Sequence, residues 1–545
     1  MSHKGISGKG KKKKQHICYD VQIFLQEGLW LLVSLYMLLI IIVHPFYYTD
    51  GYVRIGTNKY EFFYHTGVVA VACMLPLACI YLAVSFYIQY KLEGEENKPF
   101  CKLSVTDKFV LGYGAAVLLS YFFSEYRETG VYGDVWKGTV GWFMGACSQL
   151  MFIGIYFAVS RFWKKSKVLV ALWLPVLLVV FLLEIANRFG LRPIEMEKSS
   201  PGFISTIGNI NWYCGYIVIL LFGVMYYFWT DTEKKSYVRI GLAMWLTIGC
   251  MSLVTQGSLS GLLALVAVII CLYMLSSGSG ECLEKFFACL VCLGVACSGV
   301  YFWRIKFADK YNYADPVWDY FTNSSLAVVI LLIALIGWGV VKYLNTQKKL
   351  PVKVCRYIGY VSCALAGIGL LVYIILVALN TKLPGSIGTL SENPWFTFNN
   401  AWGSNRGATF IAAWKCFADQ DLWSKIVGVG PDAMVMYINS EKNPQLYAMV
   451  REVFGNLNLT NAHNEWLTIL VNEGLFGLIT YSGIMISAMV RFLKQGSKCA
   501  LAGACGMAIL AYTMNNMVSF QQAMSATTLF LVLGIGEACM RSRTT

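Results

Sequence analysis

Apolar runs of near-membrane length recur along almost the whole chain, parted by short polar stretches. A helix needs about 20 residues to cross roughly 30 Å of hydrocarbon. On that measure the pattern predicts about fourteen spans. They fall near 29–47, 67–88, 108–125, 139–160, 168–187, 211–229, 238–255, 259–276, 286–303, 326–344, 357–379, 466–491, 499–516 and 526–540. The fold class that follows is all-α, a polytopic integral membrane helical bundle. The pattern breaks at length only once. From Asn380 to Ala462 the chain is polar, with helical periodicity around Gly407 to Phe417 and Pro444 to Phe454, so a small helical subdomain is expected over the bundle. A shorter polar loop, Arg188 to Asn211, falls on the same face. The expected organisation is a basic tail over 1–20, helices 1–11 over 21–379, the loop subdomain over 380–462 and helices 12–14 over 463–545.

Composition agrees: 57% of the 545 residues are hydrophobic and 14% charged, with a mean hydropathy of +0.57, which excludes a water-soluble arrangement. An even number of spans puts both termini on one side. Lys9 to Lys14, Arg161 to Lys167, Asn345 to Arg356, Arg541 and Arg543 fall on that side, with about 28 of the 44 Lys and Arg there and about 16 opposite. Both termini are therefore expected in the cytoplasm and the 380–462 loop outside. The net charge of +14 is dispersed over juxtamembrane loops, which suits lipid headgroups and not nucleic acid. The chain shows no small-residue cleavage site after a short apolar core, so no removable signal peptide is expected.

Candidate chemistry narrows further. Most of the 18 cysteines lie in spans; Cys416 is alone in the long loop, and the CxxC pair Cys289 and Cys292 sits in an apolar helix without His or acidic partners, as packing residues do. Ionisable groups are nearly absent from the spans, with Glu184 and Glu537 near span ends, so a proton-coupled pump has little to work with. HExxH, Walker and dinucleotide motifs are missing. The DQD at Asp419 to Asp421 is the one metal-like spacing outside and lacks a third ligand, so neither metal nor cofactor is expected.

The segment AHNEWLTILVNEGLFG, Ala462 to Gly477, sets His463 and Asn464 ahead of a helix and two glycines. His463 to Gly474 is about three helical turns, which puts both on one face, with Asn461 as a plausible cap and His463 in the first turn. Gly474 and Gly477 would admit a neighbouring helix. This segment resembles the signature of the O-antigen ligase and O-antigen polymerase family, in which His-Asn is followed after nine residues by Gly-x-x-Gly. Three further stretches, WGSNRGATFIAAW (Trp402 to Trp414), GVGPDA (Gly428 to Ala433) and STIGNINW (Ser205 to Trp212), resemble family segments in order and spacing. TQGSLSGLLAL, Thr255 to Leu265, departs from the pattern, because Leu259 stands where the family often has arginine. Asn515, Asn516 and Phe520 also resemble some members.

The resemblance implies a GT-C-like, inverting and metal-independent glycosyltransferase in the bacterial cytoplasmic membrane. It would move a glycan from undecaprenyl-pyrophosphate to a hydroxyl of a glycan or lipid acceptor on the outer face, as polymerase or as ligase. Such a reaction needs a cradle for the leaving anion and a path for the acceptor's proton. Arg406, between Gly403 and Gly407, suits the first, because a guanidinium fork meets phosphate oxygens two at a time. His463, the only histidine in the long loop, would take the proton or hold a phosphate oxygen. Arg192 and Asn211 near the GNIN stretch, with Asn464 beside the histidine, complete the expected substrate-binding set. The competing expectation is a flippase or exporter of lipid-linked glycans, with a charged, water-filled central passage and no need for His463.

Overall fold

The computed structural model describes residues 17–94, 102–131, 141–230, 235–313, 315–440 and 443–541; the run Lys9 to Lys14 and Arg543 lie outside them. The helices used below are α1 Ile17–Leu38, α2 Ile55–Tyr87, α3 Val105–Phe123, α4 Ala146–Phe162, α5 Lys167–Arg188, α6 Ile210–Thr230, α7 Ser236–Thr255, α8 Ser260–Ser276, α9 Gly280–Lys306, α10 Leu326–Thr346 and α11 Val352–Lys382. In the long loop come α12 Trp402–Ala418 and α13 Pro444–Phe454, followed by α14 Glu465–Asn472, α15 Gly474–Gln495, α16 Ala500–Asn515 and α17 Ala523–Arg541. Each expected span lands on one of α1 to α11 or α15 to α17. Ten of these helices are long and apolar enough by length and composition to cross a membrane, α4, α8 and α16 are shorter, and the 19-residue α3 is in neither group. Strand among the described residues is confined to a two-residue pairing, β1 Phe203–Ile204 with β2 Gly208–Asn209. The protein is an all-α, polytopic membrane protein.

Burial separates a centre from a rim. The most apolar window of α17 is 94% buried and that of α6 72%, against 0% for α11 and 6% for α2. Helices α6, α16 and α17 therefore fill the middle, while α2, α10 and α11 turn apolar side chains outward, as lipid-facing helices do. On the face away from the long loop, buried Asp107 bridges Arg161 at 3.1 Å and Arg541 at 2.6 Å, and buried Glu537 bridges Arg491 at 2.7 Å. These pairs tie the ends of α3, α4, α15 and α17, and each buried carboxylate has a partner, as burial of charge requires. Cys289, Cys292 and Cys416 are buried free thiols.

One expected helix is corrected. Residues 466–491 do not form a single span, because the chain breaks between Asn472 and Gly474, where Gly474 has φ +70. The cause lies in the long loop. Val429 N–H donates to Val471 O at 3.1 Å and Gly430 N–H to Asn472 O at 3.0 Å, so the Gly428–Gly430 turn seats on carbonyls that a continuous helix would use. A Cβ at Gly474 would lie 2.4 Å from Ile426 O. The glycine admits the end of the short helix Leu422–Val427 and the turn that follows it.

Candidate functional site

On the long-loop face, the ends of α6, α7 and α8 meet the loop after α9 and the 380–462 subdomain around a cavity of about 280 Å³. Arg406, His463 and Asn211 line it, together with Ser258, Leu259, Tyr313, Asp315 and Phe454. Its volume is near the lower end for small-molecule pockets, enough for the reacting groups of a larger substrate whose remainder projects outward.

Arg406 is aimed by backbone conformation. Gly403, Ser404 and Asn405 all adopt left-handed conformations, with φ of 60, 59 and 69, and α12 becomes helical at Arg406. Two consecutive non-glycine residues there cost about 1–2 kcal/mol each, strain of the kind that collects at functional sites. Gly407 must lack a side chain, since a Cβ would sit 1.9 Å from Asn399 O. The guanidinium Nε donates to Val518 O at 3.1 Å and Nη1 to Gly403 O at 3.0 Å, while Nη2 has no protein partner among the described residues. Burial pulls the Arg406 pKa down from its ordinary value and Asp315 opposes the shift.

His463 stands before α14, not in its first turn. Its φ is +48, the Asn461 side chain accepts its N–H at 3.0 Å, and the cap of α14 is Asn464, whose Oδ1 accepts Leu467 N–H at 3.0 Å. The expected common helical face of His463 and Gly474 is therefore absent: one precedes the helix and the other follows its break. The imidazole packs edge-on against Phe520, with centroids 5.0 Å apart, and its ring nitrogens have no protein hydrogen bond among the described residues. Burial first, and the nearby Arg406 second, push its pKa down to about 4.

The turn between α16 and α17 fixes the two groups relative to each other. Val518 O holds Arg406; Met517 O accepts the Asn464 amide at 2.8 Å and Asn516 O accepts Glu465 N–H at 3.1 Å. Thr409 adds a link from α12 to Ala462 O at 2.7 Å. Buried Glu465 anchors this turn from beneath through Tyr481, Tyr512 and Asn516.

The facing wall is equally determined. Arg188, fully buried, donates to Thr255 O at 2.9 Å, to Gln256 O and to Pro201 O, pairs with Glu184 at 3.5 Å, and lies 4.5 Å from the Tyr313 ring centroid. It acts as a rivet behind the wall and is not among the residues that line the cavity. Gly257 has φ +90, and a Cβ there would be 2.3 Å from Tyr313, so the ring needs the glycine. Ser258 donates to Asn211 Oδ1 at 2.7 Å.

Of the five residues singled out from sequence, three converge here. Arg192 is exposed beside a separate small pocket with Tyr52 and Met196, and Asn464 has both ends of its amide in backbone bonds beneath the site. Asp421 of the DQD caps the short helix Leu422–Val427, accepting Trp423 N–H at 2.8 Å and Ser424 N–H at 3.0 Å. Sequence reasoning missed Tyr313 and Asp315, in the loop after α9. The available signal was that this loop too falls on the long-loop face, by the same count of spans.

Among proteins of known family, residues 320–482 match a model described as O-antigen ligase, a stretch that includes Arg406, His463 and Asn464. Comparison with curated proteins finds no match.

Proposed function

We propose, from the premise that residues 320–482 form an O-antigen ligase family domain and that the protein is accordingly a membrane glycan ligase of surface-polysaccharide synthesis, a specific reaction. It is an inverting, metal-independent transfer of a glycan from undecaprenyl-pyrophosphate to an acceptor hydroxyl on the outer face. The carrying observation is that Arg406, His463 and Asn211, distant in sequence, line one cavity. Arg406 Nη2 holds a diphosphate oxygen. The acceptor oxygen attacks the anomeric carbon opposite the departing oxygen, the C–O bond to diphosphate breaks, and its electron pair leaves with the diphosphate. The acceptor's proton passes to a His463 ring nitrogen and on to solvent. Arg192, exposed on the flank, meets the emerging glycan chain, and Asn464 acts from beneath by capping α14 and tying it to Met517 O, while Asn461 holds the His463 N–H.

A histidine with a pKa of about 4 is a weak base. The substrate corrects this. An anion roughly 5 Å away at an effective dielectric near 20 favours the imidazolium by about 3 kcal/mol, or about 2 pKa units. Neutralising Arg406 acts in the same direction, so the loaded site has a base near 6. The flippase reading needs a charged central passage, whereas α6, α16 and α17 fill the bundle's centre with largely apolar, buried side chains.

The test separates donor binding from chemistry. Arg406→Ala is expected to weaken binding of a lipid-diphosphate glycan by at least about tenfold. His463→Ala should retain binding and lose about 100-fold or more in turnover. Full transfer by both variants overturns the reading.

A further inference from the structure

The cavity holds a carboxylate that the transfer mechanism above does not use. Asp315 and Arg406 line the same space, yet among the described residues neither forms an ion pair with the other or with any third group. Opposite charges on facing walls ordinarily close on each other unless held apart, and here both are held. Asp315 Oδ1 accepts Val317 N–H at 2.9 Å and Trp318 N–H at 3.0 Å; buried Trp318 is in turn fastened by its indole to Ser258 O at 3.0 Å. Among the described residues Oδ2 has no protein partner. Asn211 is fixed by the same turn, since its Oδ1 receives Ser258 Oγ–H at 2.7 Å, which leaves its Nδ2 hydrogens to the cavity. Leu259 puts no cation on this wall.

We propose that Asp315 and Asn211 form the acceptor subsite and that it selects an uncharged sugar, the carboxylate accepting one hydroxyl and the amide donating to a neighbouring oxygen. This rests on the glycan-transfer reading. The chemistry follows from the pair: a free carboxylate oxygen beside a free amide N–H₂ matches adjacent hydroxyl and ether oxygens. A second anion about 5 Å from Asp315, at an effective dielectric near 20, would be disfavoured roughly a hundredfold. The donor diphosphate belongs to the Arg406 wall and the acceptor to the Asp315 wall, with His463 reaching the space between.

The experiment uses the full-length protein in lipid nanodiscs with a lipid-diphosphate glycan as donor and two acceptor probes, octyl β-glucoside and octyl β-glucuronide. Wild type is expected to use the neutral probe at least tenfold better. Asp315→Asn keeps an oxygen for the two backbone N–H groups. It should raise the KM for the glucoside about tenfold and relax discrimination against the glucuronide, while the donor KM does not rise, since removing a carboxylate from the cavity takes away repulsion of the diphosphate. Asn211→Asp, read in parallel, should sharpen discrimination against the glucuronide. Equal use of both probes by wild type, transfer to neither, or an Asp315→Asn effect on donor and acceptor KM alike overturns the subsite. If wild type neither hydrolyses the donor nor moves its glycan to any hydroxyl acceptor, the glycan-transfer reading itself fails.

Discussion

At the scale of single residues, the account depends on an imidazole whose basicity changes with occupancy. In the free enzyme burial and Arg406 hold the His463 pKa down to about 4. A general base must be neutral, so its contribution is lost as pH falls through its pKa, and kcat/KM reports the free enzyme while kcat reports the complex. The expected profile therefore has kcat/KM level from about pH 8 to about 5, and kcat falling below about 6, where the bound diphosphate has raised the same group. Steady-state rates over this range check it; a shared acid limb at the ordinary histidine value of about 6.5 would contradict it. Arg406→Lys is a second expectation. It keeps the charge but not the fork that spans Val518 O, Gly403 O and the ligand, so donor affinity should drop about tenfold despite the conserved charge. These two residues were legible in sequence because each sits among glycines and asparagines in a recognisable order. Asp315 was not, since its meaning arises only when the loop after α9 folds onto the turn between α7 and α8.

At the scale of elements, the site is assembled by turns that lock into one another, and the helices supply the frame. The Gly428–Gly430 turn, the break at Gly474 and the turn after α16 each offer backbone groups that another segment completes. Gly474→Ala forces a side chain onto φ +70 and into Ile426 O at 2.4 Å, a strain of about 1–3 kcal/mol. It should lower Tm by several degrees and reduce transfer with it, because the displaced loop leads to Arg406 on one side and His463 on the other. Asn464→Ala removes a cap worth about 1 kcal/mol as well as the bond to Met517 O. Thermal unfolding should therefore report the Asn464 change before donor binding does. The break at Asn472 to Gly474 could not be read from the chain, because apolar periodicity runs straight through it. What ends the helix is a distant loop that captures its terminal carbonyls.

At the scale of the whole molecule, hydropathy sufficed to place the helices, since length and apolarity are imposed by the bilayer itself. It did not distinguish centre from rim: α11 and α17 are both apolar, yet the apolar window of one has no buried residue and that of the other is 94% buried in protein. The distribution of lysine and arginine predicts that the long loop lies outside. A cysteine at exposed Asn456 should then react with a membrane-impermeant maleimide in intact cells, and one at exposed Ser497 only after permeabilisation. The reverse pattern would turn the cavity toward the cytoplasm. The most direct measurement of the central claim is analysis of the products formed when purified protein meets an α-linked lipid-diphosphate glycan and a hydroxyl acceptor. The account predicts a new β-glycosidic bond and one free lipid diphosphate per transfer by wild type, and neither above background with His463→Ala. Retained α configuration, or movement of intact donor across the bilayer without bond formation, would contradict it.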